Sequence, residues 1–506
     1  MDAKHRLQEY ADALRLAGLI TECRGLDDVP QTPIDCFTYD TRKISGRTLF
    51  LCKGIHFKEE YLRQAKERGA VAYVSERAYD VDLPHILVSN IRHTLAALAP
   101  LYYGHVTDKL VSIGITGTKG KSTTVFFMRY ILNAWLASLH RGPCAIVSSL
   151  ETFDGRSAQA AHITTPEILE LYQIYQNAVN NGVTHMINEV SSQALKYERV
   201  GGIRYNVGCL LNIGLDHISP IEHSDFEDYY TSKLKIFDQS EVGIVNTDAD
   251  HAERTLAYAR ERCRVVTFGS HESDDVSCSK IEKRSDGIYF TVRSPYYNGE
   301  FSLSMPGIFN VSNALAAIAM CGVLGIPEEY VRAGLRAAHV AGRMEVYHSA
   351  DGEVTVVVDY AHNAMSFDAL FRSARAEHPD CKLLAVFGAV GGKALGRRRD
   401  LGVTASKYAD YIFLTEDDPA EESPAEIAAQ VAQYVTCPYE INVVRGDCIR
   451  KAILEWTGKR VVLCAGKGNE TTQKRGTEYV TVPSDGQWAR EYLTEYDKKR
   501  QKDAKI

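Results

Sequence analysis

The sequence lacks four features that would assign it to particular classes of protein. No apolar run in its 506 residues is longer than a strand, so we expect no membrane span. The N-terminus has no apolar signal-peptide segment, and the 12 cysteines form no C-x-x-C pair. These absences favour a reducing, cytoplasmic compartment without a zinc site. A basic surplus is also missing, since the net charge of −7 argues against a nucleic-acid partner.

The remaining composition is that of an ordinary globular protein, with 45% hydrophobic and 24% charged residues. A chain of this length exceeds one hydrophobic core and should divide into about three domains. Changes in pattern place them at residues 1–108, 109–340 and 341–506.

Apolar strand-like segments alternate with helical segments in the second and third blocks, which predicts parallel sheets. In the second block the predicted strands are 184–190, 207–212, 242–246 and 265–268. In the third block they are 354–358, 383–387, 411–414, 441–444 and 461–464. The predicted fold class is α/β, with a small N-terminal α/β domain, a central parallel-sheet ATPase domain and a C-terminal Rossmann-like domain.

A glycine-rich loop at residues 114–123 lies between an apolar strand and a helical segment. Such a loop directs backbone N–H groups and the positive end of the helix towards a phosphate. Lys121 would reach the β- and γ-phosphates, and Ser122 would hold Mg²⁺. Ile115 stands where the P-loop pattern has its first glycine, so a loop without a ligand remains an alternative. The loop predicts a nucleoside triphosphate site.

Polar side chains follow two predicted strands of the same block. Glu189 ends one strand, and Asp216 and His217 follow another. The carboxyl ends of parallel strands form the edge on which a phosphate loop also lies. A carboxylate and an imidazole at that edge could meet the Mg²⁺ of a bound triphosphate. The alternative is a histidine that is merely hydrogen-bonded at a strand end.

The third block carries three polar segments after its strands. They are 359–363, 397–399 and 466–470. The glycines of the last segment would allow its backbone to approach an anion closely. The three arginines, Arg397 to Arg399, form either a phosphate or carboxylate clamp or the solvated start of a helix.

These motifs, in this order, resemble the Mur ligases, the family that builds the peptide of peptidoglycan precursors. The resemblance covers nearly the whole chain and is closest to the branch that adds the third residue of the stem peptide. The matching segments are 39–42, 49–50, 116–123, 162–166, 189–195, Arg199, 229–234, Asn310, Arg343, 359–362 and 466–468. Thr41 stands where the family usually has serine, and Asn469 where it usually has histidine.

The resemblance implies an amide ligase with ATP and Mg²⁺ as cofactors. Its substrates would be UDP-N-acetylmuramoyl-L-alanyl-D-glutamate and a free diamino acid. The glutamyl carboxylate would attack the γ-phosphate of ATP, and the amine of the amino acid would displace phosphate from the acyl phosphate. We expect a cytoplasmic monomer.

The resemblance also implies a role for individual residues. ATP would contact Gly117, Thr118, Lys119, Gly120, Lys121, Ser122, Thr123, Asn310, Arg343, Asp359 and His362. The UDP-muramoyl dipeptide would contact Thr41, Thr164, Thr165, Ser191 and Arg199. The amino acid would contact Asp417, Asp418, Pro419, Ala420, Gly466 and Glu470. Catalysis would use Lys121, Lys233, Glu189 and His217, and the metal ligands would be Ser122, Glu189, His217 and Lys233 as a carbamate.

One segment bears on which amino acid is added. Relatives that take meso-diaminopimelate carry Asp-Asn-Pro-Arg, whose arginine pairs with the distal carboxylate. This chain has Asp417-Asp418-Pro419-Ala420 there, so the arginine is missing and two acids favour an ammonium group. L-lysine fits best, with ornithine and meso-diaminopimelate as alternatives, although the acids could instead cap the following helix.

Two alternatives to this function remain. A folylpolyglutamate synthase-like ligase is one, although the N-terminal block of about 100 residues counts against it. A nucleotide-gated switch that makes no bond is the other, and it would release phosphate without any amino acid.

Overall fold

The structure is a computed structural model that describes residues 5–54, 56–219, 222–392 and 394–503. It has three main sheets in succession along the chain, each accompanied by helices. The predicted α/β fold class with three domains is confirmed. No helix in the described part of the chain is both long and apolar enough to cross a membrane.

The N-terminal domain contains α1 (Leu7–Leu16), β1 (Ile20–Arg24), β2 (Cys36–Thr38), β3 (Thr48–Leu51), α2 (Glu59–Glu67), β4 (Ala70–Ser75), β5 (His85–Val88) and α3 (Ile91–Tyr102). Its strands follow the order β1-β5-β4-β3-β2, and only β1 runs antiparallel to its neighbour. Helix α3 begins where the Asn90 side chain accepts hydrogen bonds from two backbone N–H groups of the first turn. The apolar face of α3 includes Leu95 and Leu98, which share one core cluster with Tyr172 and Leu195 of the central domain. These two domains therefore pack as one apolar unit.

The central domain contains β6 (Val111–Thr116), α4 (Lys121–Ser138), β7 (Ala145–Val147), β8 (Glu151–Phe153), β9 (Ala158–Ala160), α5 (Ile168–Asn180), β10 (His185–Glu189), α6 (Ser192–Lys196), β11 (Tyr205–Leu210), α7 (Phe226–Leu234), β12 (Ser240–Asn246), α8 (Ala252–Arg260), β13 (Arg264–Gly269), β14 (Val276–Arg284), β15 (Gly287–Arg293), β16 (Gly299–Leu303), α9 (Asn310–Leu324) and α10 (Glu328–Ala337). Its 11 strands follow the order β16-β15-β14-β13-β12-β11-β6-β10-β7-β8-β9. The strands from β14 to β7 in that order are parallel, and the outer pairings on both sides are antiparallel. Glu189 pairs with Ile115, so the register places this carboxylate beside the start of the phosphate loop.

The C-terminal domain contains β17 (Glu345–His348), β18 (Val354–Asp359), α11 (Ala364–Glu377), β19 (Lys382–Phe387), α12 (Gly396–Ser406), β20 (Tyr411–Leu414), α13 (Pro424–Ala432), β21 (Tyr439–Ile441), α14 (Arg445–Leu454), β22 (Arg460–Ala465), β23 (Thr472–Arg475), β24 (Glu478–Thr481) and α15 (Asp485–Asp503). The order is β17-β18-β22-β19-β20-β21, with only β17 antiparallel, and β23 and β24 form a separate hairpin. The strand predicted at 441–444 is wrong, since β21 starts two residues earlier and ends three residues earlier. The Asn442 side chain accepts from the Val444 N–H at 2.9 Å and turns the chain into α14.

The C-terminal domain has its own apolar clusters on the two faces of its sheet. Polar contacts join it to the central domain: Asp216 bonds to Asn363 and Arg397, and Lys283 pairs with Glu377 at 2.8 Å. Interfaces of this polar kind permit relative motion of domains. Phe309 of the central domain also packs against one of these clusters. Because the other contacts named here are polar, we expect the C-terminal domain to be the more mobile part of the molecule.

Candidate active site

A cleft of about 920 Å³ opens between the central and C-terminal sheets, on the edge formed by the carboxyl ends of their strands. Most of the predicted site residues line it. They are Thr118, Lys119, Gly120, Lys121, Ser122, Thr123, Thr164, Thr165, Glu189, Ser191, Arg199, His217, Lys233, Arg343, His362, Asp417, Asp418, Gly466 and Glu470. The fold therefore brings together residues from segments more than 300 positions apart in the chain.

Three predicted residues lie just behind the lining. The Gly117 carbonyl accepts hydrogen bonds from Lys121 of the loop and from Lys233 of α7. The Asp359 carboxylate accepts from the backbone N–H groups of Met344 and Ala361, at 2.9 and 2.7 Å. Asn310 donates to the Pro306 carbonyl at 2.7 Å, and its Oδ1 accepts from the Asn313 amide at 3.0 Å. These residues hold backbone in place around the site.

Three other predicted residues lie further away. Thr41 is in the N-terminal domain, where its carbonyl accepts from Arg68 at 3.1 Å. Ala420 has a φ of 51° and its N–H bonds to the Lys474 carbonyl in the hairpin at 3.2 Å. Pro419 packs against Gly391 so closely that a Cβ there would lie 1.9 Å from the Pro419 carbonyl oxygen. Their predicted contacts with substrates stay predictions.

The phosphate loop is a rigid turn at the start of the 18-residue helix α4. Gly120 has a φ of 84°, and a Cβ at this position would lie 2.2 Å from Asn313 Oδ1, so only glycine fits. Asn212 braces the loop from β11, because its amide accepts from the Lys119 N–H at 2.9 Å and donates to the Lys119 carbonyl at 3.0 Å. No motif in the sequence predicts these two hydrogen bonds. A helix start held in this way is a preformed anion site.

Three lysine side chains converge on this loop. Lys121 Nζ donates to the Gly117 and Thr118 carbonyls at 3.0 and 3.3 Å, and burial lowers its pKa. Lys233 Nζ donates to the Gly117 carbonyl at 2.9 Å; burial and the neighbouring Lys121 lower its pKa well below the ordinary value. Burial lowers the pKa of Lys119 to about 7, against the attraction of Asp216. A polyanion would restore the charge that burial opposes in these groups.

The buried carboxylate of Glu189 is 2% exposed and lies beside the hydroxyl of Ser122. One oxygen, Oε2, accepts from the Ser149 N–H at 2.9 Å, and the Ser149 hydroxyl bonds to that of Ser122 at 2.9 Å. His217 contacts Glu222 Oε1 through Nδ1 at 2.9 Å. Within the described residues, no group of three His, Cys, Asp or Glu side chains forms a metal cage. Sparse oxygen ligands beside a phosphate site suit Mg²⁺, which keeps waters and binds phosphates.

Asp216 joins the central and C-terminal domains next to the cleft-lining His217. Its side chain is 3% exposed, and Oδ1 accepts from Arg397 Nη2 at 2.6 Å. Oδ2 accepts from the Asn363 amide and lies 3.4 Å from Lys119 Nζ. Burial opposes the charge, yet Lys119 and Arg397 hold the pKa of Asp216 far below its ordinary value. Sequence reasoning treated Asp216 only as the neighbour of His217, because its partners come from distant segments.

Arg343 and His362 face the phosphate loop from the C-terminal domain. Arg343 Nε is buried and has no hydrogen-bond partner in the described part of the chain, while its guanidinium lies 4.8 Å from the ring centre of Tyr360. A bound anion would satisfy this donor. His362 Nδ1 lies 2.8 Å from the Tyr360 carbonyl, and burial and nearby Lys119 lower its pKa well below the ordinary value. The imidazole is therefore neutral.

The far end of the cleft is acidic. Lys467 Nζ contacts Asp418 Oδ1 at 2.9 Å and Glu470 Oε2 at 2.7 Å. Asp417 lines the same end, and burial raises its pKa to about 6, against the pull of Lys467 and Arg445. When all are ionised, three carboxylates face one lysine, and the excess negative charge suits a cationic ligand.

Polar contacts connect Thr165 and Ser191 to Glu189, and Arg199 to the N-terminal domain. Thr165 Oγ1 donates to the Glu189 carbonyl at 2.8 Å and accepts from the Ser191 N–H at 3.0 Å. Arg199 pairs with Glu167 Oε1 at 2.8 Å, and Glu167 also pairs with Lys53. Sequence reasoning missed Lys53 and Glu167, which carry the connection to the first domain.

Comparisons with known proteins agree with this geometry. Residues 115–321 match the model described as "Mur ligase middle domain", and residues 342–468 match "Mur ligase, glutamate ligase domain". The UDP-N-acetylmuramoyl-L-alanyl-D-glutamate--L-lysine ligase of Enterococcus faecalis is 38% identical over 458 residues, which is 88% of this chain and 89% of that protein. The chain belongs to the Mur ligase family. The Streptococcus sanguinis protein of the same name is 37% identical over 91% of this chain and 93% of its own length.

A solved Mur ligase structure shares the fold along the entire chain. The structure of a UDP-N-acetylmuramoyl-L-alanyl-D-glutamate--2,6-diaminopimelate ligase covers 99% of this chain and all of its own, with a TM-score of 0.67 and 22% identity. The three-domain architecture of this Mur ligase is therefore that of a known fold.

Proposed function

We propose that this Mur ligase adds L-lysine to UDP-N-acetylmuramoyl-L-alanyl-D-glutamate with ATP and Mg²⁺, as a step of peptidoglycan precursor synthesis. The observation that carries the proposal is the division of one cleft into a basic phosphate end and an acidic end. A triphosphate would occupy the first, a cationic amino acid the second, and the dipeptide carboxylate would lie between them.

The reaction proceeds in two steps. The glutamyl carboxylate of the dipeptide attacks the γ-phosphorus of ATP, which forms an acyl phosphate and releases ADP. The neutral α-amine of L-lysine then attacks the acyl carbon, and the C–O bond to phosphate breaks as the amide forms. Lys121 and Arg343 would neutralise charge on the transferred phosphoryl group, where positioning and electrostatics supply most of the catalysis.

The residues present fit Mg²⁺, which would be held by Ser122, Glu189 and His217 and would supply charge neutralisation at the phosphates. Lys233 fits a carbamate, because its lowered pKa favours the neutral amine. That neutral amine would attack CO₂, form an N–C bond and lose a proton, which turns it into an anionic oxygen ligand. The loop around it already holds two other lysines that would offset the new charge.

L-lysine is favoured over its alternatives by charge. Meso-diaminopimelate would bring a second carboxylate towards Asp417, Asp418 and Glu470, where no arginine is available at Ala420. Ornithine has the same charges as lysine with one methylene fewer, a difference worth about 1–3 kcal/mol in a fitted pocket. We infer lysine as the preferred substrate and ornithine as a weaker one.

The uridine nucleotide would be held by the N-terminal domain, which we place at residues 1–108 with Thr41 as a contact. The central domain, 109–340, would hold ATP, and the C-terminal domain, 341–506, the amino acid. We propose a cytoplasmic location, in keeping with 12 free cysteines and no disulfide. We also propose that the enzyme works as a monomer, since one chain supplies every predicted site residue.

The test is to incubate the purified protein with ATP, Mg²⁺, UDP-muramoyl dipeptide and one amino acid at a time. We expect tripeptide product and phosphate release with L-lysine, less with ornithine and none with meso-diaminopimelate. Product with meso-diaminopimelate alone would show that the assignment from Ala420 is wrong. Phosphate release without any amino acid would favour the nucleotide-gated switch, and turnover of a folate would favour a folylpolyglutamate synthase-like enzyme.

A further inference from the structure

A fully buried ion pair lies beneath the acidic end of the cleft without touching it. Arg445, the first residue of α14, pairs with Asp485, the first residue of α15, at 2.6 Å, and their side chains are 3% and 1% exposed. A second bond joins Arg445 Nε to the other Asp485 oxygen at 2.7 Å, so the contact is bidentate. Such a pair rarely adds net stability over an apolar replacement, so its presence calls for another role.

The remaining donors of Arg445 point to the two loops that carry the amino-acid end of the site. Nη2 donates to the Ala465 carbonyl at 2.9 Å, and Nη1 donates to the Glu416 carbonyl at 3.4 Å. The next residues in the chain are Gly466 and Asp417, which both line the cleft. Arg445 therefore holds the last backbone carbonyl before each loop.

The two carbonyls that Arg445 holds follow or end strands that are not neighbours in the sheet. Glu416 follows β20 and Ala465 ends β22, and in the sheet β19 lies between these strands. No ladder hydrogen bond joins β20 directly to β22. Each pairs with β19, and beyond these ladders the spacing of the loops that follow β20 and β22 depends on side chains. The two loops lie close together, because a Cβ on Gly466 would lie 2.6 Å from Asp417 Oδ2.

We propose that Arg445, held by Asp485, is a positioning residue that sets the distance between the Asp417 and Gly466 loops and thereby the affinity for the incoming amino acid. This inference rests on the proposed function of that end of the cleft. A guanidinium is suited to the task because its planar fork reaches the carboxylate and both carbonyls at once, which a lysine ammonium cannot do. A displacement of about 1 Å at a binding loop can cost about 100-fold in turnover of subsaturating substrate.

The experiment compares three variants with the unaltered enzyme. Arg445→Lys keeps the charge and loses the fork. Arg445→Met combined with Asp485→Leu removes both charges and keeps an apolar, filled site, which guards against simple unfolding. Arg450→Lys is the matched control, since Arg450 and Glu495 pair between the same two helices but are each 46% exposed.

We expect the KM for L-lysine to rise at least tenfold in both Arg445 variants, with the KM for ATP within twofold and the melting temperature of the double variant within a few degrees. The control should match the unaltered enzyme. Hydrogen exchange should also rise at residues 416–418 and 465–470 in both variants, a readout that needs no turnover. An unchanged KM for L-lysine, an equal rise in both KM values, unchanged exchange in the loops, or loss of folding in both variants would each overturn the proposal. Failure of the proposed function would show separately, as no L-lysine product from the unaltered enzyme.

Discussion

Asp216→Asn should shift the molecule towards an open arrangement of the C-terminal domain. The substitution keeps the shape of the side chain and removes the charge that faces Arg397 and Lys119. Removing one partner of a buried pair costs about 3 kcal/mol, because the other partner is left without compensation. In the open form Arg397 can turn to water, so the cost falls on the closed form. A change of about 3 kcal/mol corresponds to roughly a 100-fold change in the ratio of closed to open molecules.

Small-angle scattering of the enzyme without nucleotide measures this shift as a larger radius of gyration. Lys283→Gln is the control, because Lys283 and Glu377 also join the two domains but Lys283 is 45% exposed. Glu377 is only 8% exposed, but solvent reaches the Lys283 ammonium and weakens the pair to about 1 kcal/mol, so the control should scatter more like the unaltered enzyme than Asp216→Asn does. The Asn variant should also show a raised KM for ATP. Identical scattering curves for Asp216→Asn and the unaltered enzyme would refute the reasoning.

Three further predictions concern side chains in the cleft. Lys121→Ala should lower kcat by at least about 100-fold with little change in melting temperature, because phosphoryl charge is left unneutralised; near-normal turnover would remove Lys121 from the mechanism. Lys233→Ala should lose turnover and regain part of it with added formate or acetate if Lys233 serves as a carbamate, whereas no rescue would count against that role. The raised pKa of Asp417, about 6, means that this carboxyl gains a proton as the pH falls through 6 and the acidic end loses negative charge. The KM for L-lysine should therefore rise as the pH falls from 7 to 5, and Asp417→Asn should raise the KM at pH 7 and flatten this pH profile; an equally steep profile in that variant would contradict the assignment.

Much of the fold could be predicted because buried parallel strands leave long apolar runs in the sequence. Strand β20 has the predicted bounds, and β18 and β19 differ from the predicted ones by a single residue. The hairpins β7 to β9 and β23 to β24 were not predicted. Their strands have three or four residues, and β8 and β9 bury no side chain fully, so they lack an apolar signal. The prediction of a strand at 441–444 was wrong because the apolar side chains at 443 and 444 belong to a turn and a helix start.

Individual site residues were predictable where a backbone motif reveals them. The phosphate loop shows itself by its glycines and by the strand and helix beside it. The partners of Lys53, Asp216 and Arg445 that the structure shows across the site lie at least 20 positions away, and no local spacing reports such a contact. Asp216 could be singled out only as a polar residue at a strand end, without its partners.

Leu95, Leu98, Tyr172 and Leu195 share one core. The N-terminal and central domains therefore form one unit, and the C-terminal domain forms a second. The first domain would bind the sugar nucleotide, and the loop of the second would bind the triphosphate. The shared apolar core would keep these two ligands at a fixed distance from each other. The amino acid would instead bind to the C-terminal domain, which contacts the central domain largely through charged side chains. High salt should therefore weaken binding of the amino acid, and also binding of ATP, because Arg343 and His362 face the phosphate loop from the same C-terminal domain. Binding of the sugar nucleotide to the first domain should change less.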